Sequence, residues 1–347
     1  MSVKGQAVDF LSGIAAAAPW RSACERALVS LGHKYPSSRT ISSFCRHFGS
    51  KLIDCEGSGF ARVATFESGG KMFCGGEKKL AQLSLFYYFT GYDTDVHTED
   101  EHGVVRLLGR LVRKDDIFFD LGANFGFYSC YVLPLCGTSG AVHAFEANPC
   151  LIPHLRRSVE LNAQFGAIHV NGLAVGKESG KYLELYDPDR IGGSSLYPHE
   201  WLNRDSKVLV PIVTIDEYVR TNGIKRIDVM KIDIEGAELD ALQGMAETLR
   251  ICPPKTIVCE LTLLPAEGSP HRNGPEIRRR AGSAADPFQL ADFLKQKGYE
   301  LCEITGDGRL RAGYSLEPTD GSALKLVNVA FIQPELKRLR PELFTSQ

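Results

Sequence analysis

The sequence predicts an α/β protein built on a doubly wound, mainly parallel sheet of seven strands. Three observations carry this. A short apolar run, Ile117-Phe118-Phe119, ends in Asp120, and Gly122, Asn124 and Gly126 follow before an apolar segment from Phe127 to Leu135. That is the pattern of a strand, a tight turn and a helix. Four more apolar runs (141–145, 167–175, 227–232 and 256–261) alternate with segments of helical spacing, as in successive βαβ units. Two further runs, 300–304 and 326–332, close the chain as a terminal strand pair, the second antiparallel at an edge. Right-handed crossovers place the strand tips Asp120, Glu146 and Asp233 on one rim.

Each element follows from its residues. Ala7 to Ser30 has helical spacing broken by Pro19, Ile41 to Lys51 reads as a short helix, and Phe60 to Phe66 alternates weakly as a strand. Residues 1–85 are therefore expected to form a helical extension with a small β addition that covers the main domain, residues 86–347. Leu80 to Tyr92 reads as a buried helix, and Glu101 to Arg113 as a helix with Val104, Val105, Leu108 and Leu111 on one side. Pro149 to Gln164 is the next helix after the second strand. Thr214 and Glu217 fit a capping box in which Glu217 reaches back to a backbone N–H, so Asp216 and Glu217 are assigned no chemistry. Glu235 to Leu249 is a helix with Leu239, Leu242 and Met245 facing inward. The polar, irregular stretch from Leu263 to Pro287 contains Arg278-Arg279-Arg280, read as a solvated charge run.

Composition narrows the function classes. The chain has 347 residues, enough for one large domain and a smaller one. A formal net charge of −2 gives no electrostatic case for nucleic acid or an anionic membrane. No apolar run reaches the roughly 18 residues of a spanning helix. Lys4 is the one early positive charge and Asp9 interrupts the first apolar stretch, which argues against a secretory leader. The 10 cysteines show no C-x-x-C and no zinc spacing, and several fall inside apparent elements. They read as buried, reduced thiols in a cytoplasmic compartment.

The turn after the first strand is the candidate site. Glycine there lets a ligand approach the backbone, and the free N–H groups of the new helix face the same space. Ligands of open α/β sheets bind at this end of the strands. The dinucleotide pattern G-x-G-x-x-G is not met, because Asn124 stands at the middle glycine. Glu146 lies 24 positions beyond Gly122 at the tip of the second strand. An ionised carboxylate there can accept both hydroxyls of a ribose. Leu173 and Ala174 fall at the tip of the third strand. Asp233 ends the fourth, and Glu235 sits where a first-turn carboxylate favours the helix dipole. His143 reads as a core or surface histidine, and His199 as a weak alternative base. The polar loop from Ile191 to Leu196 lies on the same side. Asp233, Glu235 and Glu260 are oxygen donors, but their spacing demands no metal and none is assigned.

The segments FDLGANFG (119–126), AFEANP (144–149) and MKIDIEGAE (230–238) together resemble the FkbM-like family of S-adenosylmethionine (SAM) methyltransferases of class I. VTIDE (213–217) and VNVAF (327–331) are similar too, so the resemblance runs over roughly residues 115–334. It implies a Rossmann-like fold and methyl transfer from SAM to a hydroxyl of a sugar, glycan or secondary metabolite. By resemblance, Asp120, Gly122, Asn124 and Gly126 hold the methionine portion, Glu146 the ribose, and Leu173 and Ala174 the adenine, with Ala147 a further cofactor-binding position. Asp233 lies beside the transferring methyl, with Glu235 behind it. The N-terminal third and the long insert after Leu263 depart from the pattern, which leaves acceptor recognition and oligomeric state open. A nucleotide-dependent oxidoreductase and a SAM-binding protein without turnover are the competing readings.

Overall fold

The computed structural model describes residues 52–58, 61–75, 99–188, 194–198, 203, 205–263, 286–319 and 325–345. Three short strands come first: β1 (Leu52–Ser58), β2 (Ala61–Phe66) and β3 (Lys71–Gly75), an antiparallel sheet in that order. Then follow α1 (Glu99–Leu111), β4 (Ile117–Leu121), α2 (Phe127–Cys136), β5 (Ala141–Phe145), α3 (Ile152–Leu161), β6 (Ala167–Asn171) and β7 (Ala174–Val175). After these run β8 (Tyr182–Tyr186), β9 (Lys207–Val213), α4 (Ile215–Thr221), β10 (Val229–Ile232), α5 (Glu238–Gln243), α6 (Ala246–Ile251) and β11 (Thr256–Leu263). The described chain ends with α7 (Pro287–Gln296), β12 (Glu300–Ile304), β13 (Leu310–Ala312), β14 (Lys325–Ile332), α8 (Pro334–Leu339) and a short 3-10 helix (Pro341–Leu343). No helix among the described residues is long and apolar enough to cross a membrane.

The central sheet has the order β13-β12-β14-β11-β10-β4-β5-β6. β6, β5, β4, β10 and β11 are mutually parallel, and β14 runs antiparallel between β11 and β12. Side-chain alternation sends Phe118, Val142, Val229 and Val258 to one face, against α1, α2 and α3. Phe119, Phe145, Met230, Ile232 and Ile257 go to the other, against α4 to α7. Helix α2 is apolar nearly all round and correspondingly buried. At the strand starts, buried Asp228 accepts from Ile117 N at 2.8 Å, Arg226 Nε at 3.0 Å and Lys255 Nζ at 2.5 Å. The end opposite the ligand rim is thereby fastened.

The structure departs from the sequence expectation in definite ways. The seven expected strands share one sheet, but an eighth joins them. The Thr305–Arg309 turn, with Gly308 at φ +75°, folds β13 back onto β12. The last strand is internal rather than at an edge. The third run breaks after Asn171: β7 leaves the main sheet and pairs with β9, which pairs with β8. The expected helix 235–249 splits into α5 and α6 at Gly244. A Cβ there would stand 2.0 Å from Gly176 O, and Asp216 caps α6 by accepting from Glu247 N and Thr248 N. Only half of the expected capping box forms. Thr214 Oγ1 accepts from Glu217 N, while Thr214 N donates to Ser179 Oγ at 2.8 Å.

The strand foreseen at 60–66 is the middle of β1–β3. β3 is covered by α3: Lys71 N donates to Asn162 Oδ1 at 2.8 Å and Phe73 N to Ser158 Oγ at 2.9 Å. Phe66 meets Phe127 and Tyr131 of α2 edge-on. These bonds occupy the open edge of β3. The expected helices at 7–30, 41–51 and 80–92, His199, and Arg278 to Arg280 lie outside the described residues, as do residues 191–193 of the loop 191–196.

Candidate functional site

β10, β4 and β5 are neighbours, so their carboxyl ends stand side by side. The turn after β4 is folded by left-handed residues: Gly122 at φ +85°, Asn124 at +52° and Gly126 at +89°. Gly122 N and Ala123 N both donate to Phe145 O. Gly122 also lies against the turn after β10, where a Cβ would stand 1.8 Å from Asp233 O. Glycine at this position is what allows the two turns to close on each other.

Asp120, Glu146 and Asp233 occupy this rim at three depths. Asp120 is the deepest, 1% exposed, and accepts from Ser129 Oγ at 2.5 Å. Burial raises its carboxyl to about 6, against the pull of Ser129 and Lys231. Glu146 is also buried; its two oxygens accept from Asn124 N and Asn148 N, each at 2.7 Å. Burial raises it to about 7, those two N–H groups oppose the rise, and Asp120 and Asp233 add to it. The Asp233 side chain is 30% exposed and paired with Lys231 Nζ at 2.8 Å.

Lys231 is the residue that reading the motifs one by one did not single out. It is 1% exposed, lies across from Asp120 in the β4–β10 register, and rests 4.7 Å over the Tyr128 ring. Residues two apart in a strand share a face, so Lys231 and Asp233 meet as a consequence of the β10 pattern. A cation enclosed among two carboxylates and an aromatic face is a paired, tolerable burial.

Glu235 is not in a helix. It sits at φ +53° in the turn before α5, with Gly236 at +100°, so the helix-dipole role expected for it is not available. Glu238, one turn on, accepts from Ile234 N at 3.2 Å and Gly236 N at 3.0 Å and holds the turn's shape. Ser195 Oγ donates to Glu235 O at 2.7 Å, and Asn148 Nδ2 donates to Pro188 O and Ser194 Oγ. These bonds tie the loop after β8 to the tips of β5 and β10.

Other expected ligand residues are placed less simply. Ala174 is buried in a small apolar cluster with Leu185, Val210 and Ile212, and Ala147 packs against that cluster. Leu173 is half-buried in the link from β6 to β7, since β6 has already ended. His143 is a core residue: its Nδ1 lies 2.8 Å from Tyr218 Oη, its ring stacks on His169, and burial lowers its pKa to about 4.

The rim fits an S-adenosyl ligand on three grounds. Each Glu146 oxygen accepts one backbone N–H and keeps another lone pair for a hydroxyl. Asn124 Oδ1 is buried at the turn without a hydrogen-bond partner among the described residues, the condition of a group that awaits a donor. The glycine turn also leaves its backbone open to close approach.

The known proteins that this chain resembles in sequence are methyltransferases. Over 150 residues the chain is 28% identical to hexuronic acid methyltransferase AglP of Haloferax volcanii, covering 43% of this chain and 58% of that protein. It is 24% identical over 148 residues to Methyltransferase 1 of Beauveria bassiana, covering 38% and 59%. It is 23% identical over 155 residues to 2-O-methyltransferase NoeI of Sinorhizobium fredii, covering 42% and 63%. The chain thus spans about three fifths of the length of these relatives. Residues 120–301, just over half the chain and inclusive of every strand tip described above, match the Methyltransferase FkbM domain, and the chain belongs to that family.

Proposed function

We propose that this protein transfers the methyl group of SAM to a hydroxyl of a sugar or other small-molecule acceptor. The observation that carries the reading is the meeting of Glu146 and Asp233 on either side of the Gly122 turn, one buried and preorganised, the other partly open. Bound SAM would supply a methyl group on a positively charged sulfur. Glu146 would hold the ribose hydroxyls, and the Asn124 and Gly122 backbone the amino-acid end. Asp120 would keep Ser129 and the turn in place. Asp233 would accept the acceptor's proton as the new bond forms, with Lys231 fixing its orientation, and Glu235 would shape the turn that carries it. Positioning of reactants in this way can be worth about 7–11 kcal/mol in the best cases.

The relatives whose names specify a hexuronic acid and a 2-O position support a sugar hydroxyl. Among the described residues, Cys130, Cys136, Cys259 and Cys302 are buried free thiols, which suits a reducing cytoplasmic compartment. Residues 1–85 are proposed as an extension that covers the catalytic domain, consistent with β3 lying on α3. Calorimetry with SAM and with NADH tests the reading directly. Binding of SAM and not NADH, followed by transfer of label from isotopic SAM into a fraction of host extract, is expected. NADH binding without SAM binding overturns it, and SAM binding without any labelled product favours a non-catalytic SAM binder.

Glu146→Ala is expected to weaken SAM binding by about 1.5–3 kcal/mol for each charged hydrogen bond lost, measured by calorimetry at pH 8. Unchanged affinity contradicts the ribose role. A pH effect follows from the same carboxyl. Its folded value of about 7 lies above the ordinary 4.5, so the folded state holds more protons than the unfolded state between those values. Stability from this group is complete below about 4.5 and is lost as pH rises through 7. The loss is on the order of 3 kcal/mol. Melting without ligand should therefore fall from pH 5.5 to 8, the fall should shrink in Glu146→Gln, and SAM affinity should rise over the same interval.

A further inference from the structure

A cavity of about 400 Å³ lies beside the rim, between β8, β9 and the start of α5. That volume is in the range of small-molecule sites. Tyr182, Tyr186 and Tyr197 line it together with Glu184, Asp240 and Ala237. Ala237 ends the turn that begins at Asp233. Ser195, bridged to Tyr186 and bonded to Glu235 O, joins the cavity wall to that same turn.

The chemistry of this lining is specific. Among the described residues, the charged groups on it are two carboxylates. Glu184 is paired with Lys207 at 2.6 Å and accepts from Tyr186 Oη at 2.9 Å. Asp240 is paired with Lys177 at 3.6 Å and accepts from Tyr197 Oη. Neither lysine lines the cavity. Tyr182 is 68% exposed, a ring held on an edge strand with no cover among the described residues. Aromatic faces pack on the C–H faces of a pyranose, while carboxylates accept from its hydroxyls and phenols both donate and accept. A negatively charged sugar would bring a third carboxylate beside two whose lysine partners are not part of the lining.

We propose that this cavity is a binding subsite for an uncharged pyranose ring of the methyl acceptor. The assignment rests on the methyl-transfer reading for the acceptor's purpose, but its binding test does not. The charge selectivity runs opposite to the hexuronic acid named for the Haloferax volcanii relative.

Saturation-transfer NMR and competition titrations with methyl glucoside, methyl galactoside and methyl glucuronide, at low salt on the full chain, test it. Wild type should bind at least one neutral glycoside more tightly than the glucuronide. Tyr182→Ala, at an exposed position that leaves the fold intact, should weaken the neutral glycosides by about tenfold with SAM affinity unchanged. Glu184→Gln should narrow the gap between neutral sugar and glucuronide. Tighter glucuronide binding, no binding of any neutral glycoside, or neutral binding indifferent to Tyr182→Ala overturns the subsite. SAM calorimetry on the same samples reads the methyl-transfer proposal separately: its failure leaves the sugar result standing, and the reverse holds as well.

Discussion

Asp233→Asn is expected to lower kcat by about 10²–10⁴-fold, the range contributed by a positioned general base, while SAM affinity stays within a few-fold of wild type. The amide keeps an oxygen that can accept from Lys231 Nζ, so the 2.8 Å contact and the turn behind it persist. What is lost is the capacity to take a proton. Single-turnover measurement with isotopic SAM and the acceptor identified from extract separates the chemical step from binding. A variant with unaltered single-turnover rate removes Asp233 from proton transfer and leaves it an orienting role at most.

Lys231→Met is the companion change and acts differently. The lysine is enclosed, whereas Asp233 retains access to water. Its removal leaves buried Asp120 without its neighbouring cation, so that carboxyl should rise above its value of about 6. Removing one member of a buried pair typically costs about 3–5 kcal/mol, and the partial exposure of Asp233 places this case at the lower end. A melting-temperature loss, together with a kcat loss that Lys231→Arg partly restores, distinguishes orientation of Asp233 from simple packing.

Much of this site is legible in the sequence. The strands in chain order, the glycine turn, and the shared rim of Asp120, Glu146 and Asp233 follow from apolar runs, βα alternation and crossover handedness. These are consequences of local sterics and of burial on both sheet faces. What was not legible depended on partners distant in sequence. Nothing local tells the 167–175 run to break; the break comes from β7 pairing with β9, nearly forty residues later. The split of the 235–249 helix is set by Gly244 meeting the Gly176 carbonyl. A helix-period pattern cannot reveal such an approach. Lys231 was readable in part. A lysine two residues before Asp233 in an otherwise apolar strand must share its face, but its second carboxylate, Asp120, is supplied by the neighbouring strand.

Gly122→Ala is expected to be the most damaging single methyl in the molecule's ligand rim. Two costs combine there. The residue is at φ +85°, where a side chain carries roughly 1–2 kcal/mol of backbone strain. Its Cβ would also stand 1.8 Å from Asp233 O and 2.8 Å from the carbonyl carbon. Those atoms belong to backbone, so no rotamer change relieves the contact; the β10 turn has to move. Forced repacking of this kind adds about 1–3 kcal/mol, and the displaced element is the one that carries Asp233. Gly180→Ala is the matched control, since it shares a left-handed backbone, φ +76°, but a Cβ there meets nothing within 4 Å. Thermal melts should show a loss for both and a clearly larger one for Gly122→Ala. Calorimetry should show SAM binding abolished in Gly122→Ala and intact in Gly180→Ala. Equal melting losses with SAM binding retained in both would mean that the turns after β4 and β10 do not touch at Gly122, and the convergence on which the proposed chemistry depends would go with them.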